Sequence, residues 1–149
     1  MAFLIPFQSM KVVIDTNIFL GACLGKGAAN LAITACLRGQ CVPLMGAALL
    51  AEFEDVLGRQ ALFERSRLEP EERQTLLDVF LSKGEWVRVY YTWRPNLPDE
   101  ADNHLVELAI AGGAELIVTR NLRDLQRMEL RFPQLRVVSP DDFLKELAK

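Results

Sequence analysis

Five polar side chains, far apart in the sequence, share a common chemistry. Asp15 closes the apolar run in "KVVIDTNIFL", Glu52 sits in "AALLAEFEDVL", and Asp102 in "LPDEADNHLVELA". Asn121 and Asp124 both lie in "IVTRNLRDL". An ionised carboxylate is costly to bury unless it is paired or faces a cation. Asp15, where an apolar strand would end inside a sheet, is the hardest of the five to explain as a solvated charge. Carboxylates gathered in one crevice repel one another, so a cation must neutralise them. Oxygen-only ligands suit hard cations such as Mg²⁺ or Mn²⁺ better than zinc. Such an ion lowers the pKa of a bound water, orients it in line with a phosphodiester and stabilises charge on the leaving oxygen. No side chain stands out as a covalent nucleophile. Ser9, Ser66, Ser82 and Ser139 lack a partnering base, and His104 is the only histidine.

Each acid also has a purely structural use. Glu52 fits the solvated flank of a helix whose apolar face is Leu49, Leu50, Phe53 and Leu57. Asp99, Glu100 and Asp102 fit the positive end of a helix dipole. Asp124 can pair with Arg120 or Arg127 along a helix. His104, two positions after Asp102, falls on another side of its helix and reads as a surface residue or an indirect support of the site.

Only the fold can bring these segments together. Short β-branched runs recur at Val12–Ile14, Cys41–Met45, Trp86–Tyr91, Leu116–Thr119 and Leu135–Val138. Helix-patterned segments lie between and after them, at about Ala28–Leu37, Ala47–Leu57, Pro70–Leu81, Ala101–Ala111 and Phe143–Ala148. Continuous apolar strands alternating with helices predict an α/β fold with a parallel sheet covered on both faces. "SPDDF" offers Ser139 as an N-cap, Pro140 at the first helical position and Asp142 three residues after the cap. Gly112-Gly113 ends the preceding helix by supplying left-handed backbone. Trp93, Arg94, Pro95, Asn96 and Pro98 form a stiff connection. In open parallel sheets, ligands bind at the carboxyl ends of strands. Asp15 is placed at such an end, and so are Thr119, Arg120 and Asn121.

With 149 residues, half hydrophobic and a quarter charged, the chain has the balance of one domain spanning residues 1–149. Met10 offers an alternative start, which makes residues 1–9 an N-terminal extension. No run approaches the roughly 18 apolar residues of a membrane span. "MAFLIPFQSM" lacks a basic leader, so no membrane association is expected. Cys23, Cys36 and Cys41 are odd in number and lack metal-ligand spacing, which predicts buried reduced thiols in a cytoplasmic protein. A net charge of −3 gives no basic nucleic-acid signature, but a carboxylate pocket would itself pull the balance negative. An aspartyl-phosphate phosphatase would carry a second aspartate two residues after the first, where Asn17 stands. A phosphorylated receiver domain would need paired acids after the first strand and a late lysine.

The ordered set "VVIDTN", "LLAEFEDVL" and "DEADNHLVELAIAGGAELIVTRNLRDL" resembles the motifs of the PIN-domain ribonucleases, a family containing the VapC-like toxin halves of toxin–antitoxin pairs. The resemblance runs from Val12 to about Asp142. It implies a three-layer α/β/α sandwich with a central, mainly parallel sheet. It implies Mg²⁺- or Mn²⁺-dependent hydrolysis of RNA, leaving 5′-phosphate and 3′-hydroxyl ends. Asp15, Glu52 and Asp102 become metal-binding carboxylates, Asn17 supports the first ligand, and Thr119 lines the pocket at its strand end. Many members carry an aspartate where this chain has Asn121, so Asp124 is expected to take part of that role as a further ligand. The amide keeps a ligand oxygen but loses a charge, so one firmly held ion and a weaker second are expected. Arg120, Arg123, Arg127 and Arg131 recur every three or four residues, able to meet phosphates or to pair with Glu129 and Asp124. Arg120, nearest the strand end, is the first choice for substrate contact. A cognate antitoxin, an RNA substrate and a homodimer are the partners the resemblance implies. The rival expectation is a catalytically weak or inactive module that keeps the fold to bind RNA or a partner protein.

Overall fold

Strand β1 (Lys11–Ile14) can be apolar on both faces because both are covered: Val12, Val13 and Ile14 are fully buried. It runs between β2 (Val42–Met45) and β4 (Leu116–Val118), with β3 (Glu85–Trp86) and β5 (Arg136–Val138) at the edges. All the pairings are parallel; Val12 faces Pro43 on one side and Leu116 on the other. The computed structural model describes residues 10–25, 27–89, 103–125 and 132–149. Asp102, the Trp93–Pro98 connection, Arg127 and Arg131 lie outside the described residues, as does the side chain of Asp124.

Parallel strands need crossover connections, and helices supply them. These are α1 (Thr16–Cys23), α2 (Gly27–Leu37), α3 (Ala47–Leu57), α4 (Pro70–Ser82), α5 (Asn103–Gly112) and α6 (Leu122–Leu125), while α7 (Pro140–Leu147) follows the last strand. Helix α5 packs on β1, β2 and β4; α7 packs on β5 and α2; α1 packs on α2 and α3. The result is the expected α/β/α sandwich, with a sheet parallel throughout its described strands. Its order, β3-β2-β1-β4-β5, runs outward from β1 and then resumes on β1's other side. The carboxyl ends of β1 and β4 therefore flank the topological switch point, where open α/β sheets bind ligands.

An aromatic triad fixes the helices that border this point. Phe19 of α1 meets Phe53 of α3 edge-on at 5.2 Å, and Phe80 of α4 lies 5.7 Å from Phe19 and 6.0 Å from Phe53. Each such pair adds about 0.5–1.5 kcal/mol beyond its buried area. Because Phe53 is clamped, its neighbour Glu52 is carried to a set position.

Four local details differ from the sequence reading. Helix α1 was not foreseen; Ile18, Phe19, Ala22 and Cys23 are its buried stripe, at helical spacing. Strand β3 stops at Trp86, leaving residues 87–89 of the expected Trp86–Tyr91 run outside it (Tyr90 and Tyr91 lie outside the described residues), and Val87 adds one last bond to Met45 O (2.8 Å). Its neighbour β2 has by then turned through Gly46 into α3, so no ladder remains to pair with. In "GG", only Gly113 takes the left-handed conformation (φ 71°). Gly112 is small for another reason: a Cβ there would collide with Leu44 and Val87. Finally, α7 starts at Pro140, as its Ser139 cap predicts, rather than at Phe143. The three cysteines are free and buried, and contact with Cys41 (Sγ–Sγ 3.2 Å) together with burial pushes the Cys36 thiol up.

Candidate active site

Asp15 follows β1 directly and caps α1. Its extended backbone and short carboxylate suit an N-cap, and Oδ1 accepts the Thr16 N–H at 2.7 Å. This capping is a structural use of Asp15 that the sequence reading did not weigh. The carboxylate does more than cap, because Oδ2 accepts from Thr119 Oγ1 (2.7 Å) and Asn17 Nδ2 (3.3 Å). Thr119 directly follows β4, so the ends of the two strands at the switch point are joined by this bond. Asp15 is only 6% exposed. Burial, reinforced by repulsion from Glu52, raises its pKa above 3.8 in spite of the Thr119 and Thr16 donors.

Glu52 reaches the same place from α3. Thr16 Oγ1 donates to its Oε1 at 2.9 Å, and His104 Nε2 lies 2.6 Å from its Oε2. The histidine bond comes first among the causes that hold Glu52 below its ordinary 4.5, outweighing a smaller burial effect. Thr16 thus donates to both acids, through its backbone to Asp15 and its hydroxyl to Glu52. A cleft of about 290 Å³ opens over them, bounded by Asp15, Thr16, Asn17, Glu52, Arg59 and Asn121 with apolar Leu20, Val56 and Leu62.

The structure brings Asp15, Asn17, Glu52 and Asn121 to this cleft. Thr119 lies beneath it: it has no exposed surface and reaches the cleft through Asp15, while its Oγ1 also accepts the Asn121 N–H (3.0 Å). Arg120 turns elsewhere. Its backbone N–H donates to Asn17 Oδ1 (3.4 Å), but its guanidinium lies against Gly21, where an added Cβ would sit 2.8 Å from Nη2. It lines a separate depression with Gly27, Ala28, Leu122, Ser139, Pro140 and Asp141. Two polar cleft residues escaped the sequence reading, Thr16 and Arg59, while His104, read there as a surface residue or an indirect support of the site, contacts Glu52 from outside the cleft lining. Thr16 stands inside "DTN", where a hydroxyl between two site residues was a usable signal. Arg59, four residues after its partner Asp55, had only a helical pairing to suggest it. That the partner of His104 is Glu52, 52 residues away, followed from no local rule.

The donor set suits a hard divalent cation. Mg²⁺ typically keeps several waters and takes one or two protein carboxylates. Asp15 and Glu52 offer such a pair, and a neighbouring cation would offset the burial that raises the Asp15 pKa. Among the described residues, no group of three or more histidine, cysteine or acidic side chains forms a ready-made cage. No single helix among them is long and apolar enough to cross a membrane.

An all-parallel sheet with acids at its switch point defines an α/β protein with a cation-suited crevice. The chain belongs to the PIN domain family, whose model matches residues 11–123. Among solved structures it is similar to VapBC2 from Rickettsia felis, bound to a DNA fragment from their promoter. That match has 19% identity and a TM-score of 0.54, covering 87% of this chain and 98% of that one. It is also similar to PAE2754 from Pyrobaculum aerophilum, with 16% identity and a TM-score of 0.54, covering 99% and 98%. At such identities the likeness concerns the fold. Comparison with curated proteins gives no match.

Proposed function

We propose that the chain is a Mg²⁺- or Mn²⁺-dependent endoribonuclease, the toxin of a toxin–antitoxin pair acting in the cytoplasm. The observation that carries this reading is the Asp15–Thr16–Glu52 unit at the switch-point crevice. Membership of the PIN domain family supports the nuclease class. The fold shared with VapBC2 supports an antitoxin partner.

When bound, the ion would supply Lewis acidity toward water and phosphodiester. Asp15 and Glu52 would hold it, with Asp102 the third ligand by its place in the motif and Asp124 a further one. Thr119 and Asn17 fix the Asp15 carboxylate, so its oxygens need no reorganisation when substrate arrives. Asn121 borders the cleft, and its amide would offer an oxygen to a cation there. Arg59 borders the cleft and would have to leave its partner Asp55 to meet the RNA backbone. The test is cleavage of RNA by purified protein. The reading expects Mg²⁺- or Mn²⁺-dependent products with 5′-phosphate ends, lost in Asp15→Asn and Asp102→Asn. Equal cleavage in those variants would mean a contaminating nuclease and end this assignment.

One observation favours a second reading. Asn121 puts an amide where a charge would strengthen a second ion, which suits a PIN-fold module that binds RNA or a partner protein with little catalysis. RNA binding without cleavage in saturating Mn²⁺ would select it.

A further inference from the structure

Backbone geometry fixes Asp15, but Glu52 projects from a helix flank between exposed Ala51 and Glu54. Its carboxylate must be held in the cleft by groups from other elements. Thr16 Oγ1 takes one oxygen and His104 Nε2 takes the other, the latter at a distance short even for a charge-assisted bond. The imidazole is largely buried, with 19% of its side chain exposed. Its Nδ1 is buried, with no hydrogen-bond partner among the described residues. The ring's one hydrogen bond among the described residues is therefore the bond to Glu52. An imidazole kept only to fill space would be better replaced by an apolar side chain, which strands no polar atom. Nor is the ring arranged as a ligand, since Nε2 is engaged and Nδ1 is shut away from the cleft.

We infer that His104 is a positioning residue, whose Nε2–H locks the Glu52 carboxylate in the orientation that completes the cation site. Thr16 is the second point of the clamp. Either the Nε2–H tautomer or the imidazolium supplies the donor, so the role does not depend on charge. This inference rests on the proposed reading of Asp15 and Glu52 as cation ligands. Outer partners of this kind set metal affinity by roughly 10- to 100-fold.

The test measures Mn²⁺ affinity by electron paramagnetic resonance on the full chain, beside thermal melting and RNA cleavage. His104→Leu keeps bulk and removes the donor; His104→Gln restores an N–H near the Nε2 position. The expected result is affinity about 10- to 100-fold weaker in His104→Leu and largely recovered in His104→Gln. In a Glu52→Gln background, His104→Leu should cause no further loss, because the two act as one unit. If His104→Leu fails to fold, His104→Met, which also lacks a donor, and its double variant with Glu52→Gln carry the same comparison. Wild-type affinity in His104→Leu, no recovery in a folded His104→Gln, or full additivity with Glu52→Gln would overturn this role and leave the proposed function standing. A wild type that takes up no Mn²⁺ would overturn both.

Discussion

Asp15 sits at the end of a buried strand, and Glu52 on the flank of a helix that is partly open to solvent. The two acids share Thr16 as a donor, yet their acidities are displaced in opposite directions. Burial dominates at Asp15 and raises it; a donated hydrogen bond dominates at Glu52 and lowers it. The strand and the helix cap leave Asp15 little freedom, so its position follows from the backbone. Glu52 keeps several rotatable bonds, and its position follows from Thr16 and His104. One wall of the cleft is built by the sheet, the other by side chains. A cation between them would relieve the strained wall, Asp15, more than the relaxed one.

The contrast can be broken at several points. The largest effect should come from Asp15→Asn, which keeps the shape and removes the charge. Metal-dependent RNA cleavage, followed on a labelled oligonucleotide, should fall by at least about 100-fold, the upper end of losses seen for outer partners. Thr119→Val comes next, because it strips Asp15 Oδ2 of its shorter donor at a position with no exposed surface. Denaturant unfolding should show a loss of about 1–3 kcal/mol, the usual cost of a buried group left unpaired. Thr16→Val removes the hydroxyl bond to Glu52 but keeps the backbone bond to Asp15. Its cost should be smaller, about 0.5–1.5 kcal/mol in the same assay, because Glu52 can turn to solvent.

The subtlest difference lies in pH. In metal-free protein, the raised Asp15 binds its proton more tightly when folded. Its stabilisation is complete below the ordinary value of 3.8 and is lost as pH rises through the raised folded value. Glu52 runs the other way: its stabilisation is present above 4.5 and is lost as pH falls through the lowered folded value. Unfolding measured across acidic pH with a chelator should show Asp15→Asn removing the first dependence and Glu52→Gln the second. Asp15→Asn should also be at least as stable as wild type near neutrality when no metal is present.

This asymmetry also governs what could be read from the sequence. Asp15 was legible because an acid ending an apolar run is a local anomaly, and parallel-sheet rules place it in a crevice. The central strands and the helix Ala47–Leu57 were legible from apolar runs and spacing. Helix α1 was missed because "IFL" directly after "DTN" looks like renewed strand, while its helical stripe shows only once Ala22 and Cys23 are included. Strand β3 was overextended because strand propensity cannot show that its partner has ended. Thr119 and Arg120 follow one another, yet one lies under the cleft and the other turns to Gly21, a difference that depends on long-range packing. The His104–Glu52 bond, joining residues 52 apart, depends on the same long-range packing.

The central claim is that these two differently built walls hold one cation. The most direct measurement is anomalous diffraction from a crystal soaked in Mn²⁺. The account predicts a peak about 2.1 Å from an Asp15 carboxylate oxygen, with Glu52 bound directly or through one water. A peak remote from both side chains, or none at a concentration that supports cleavage, would contradict it.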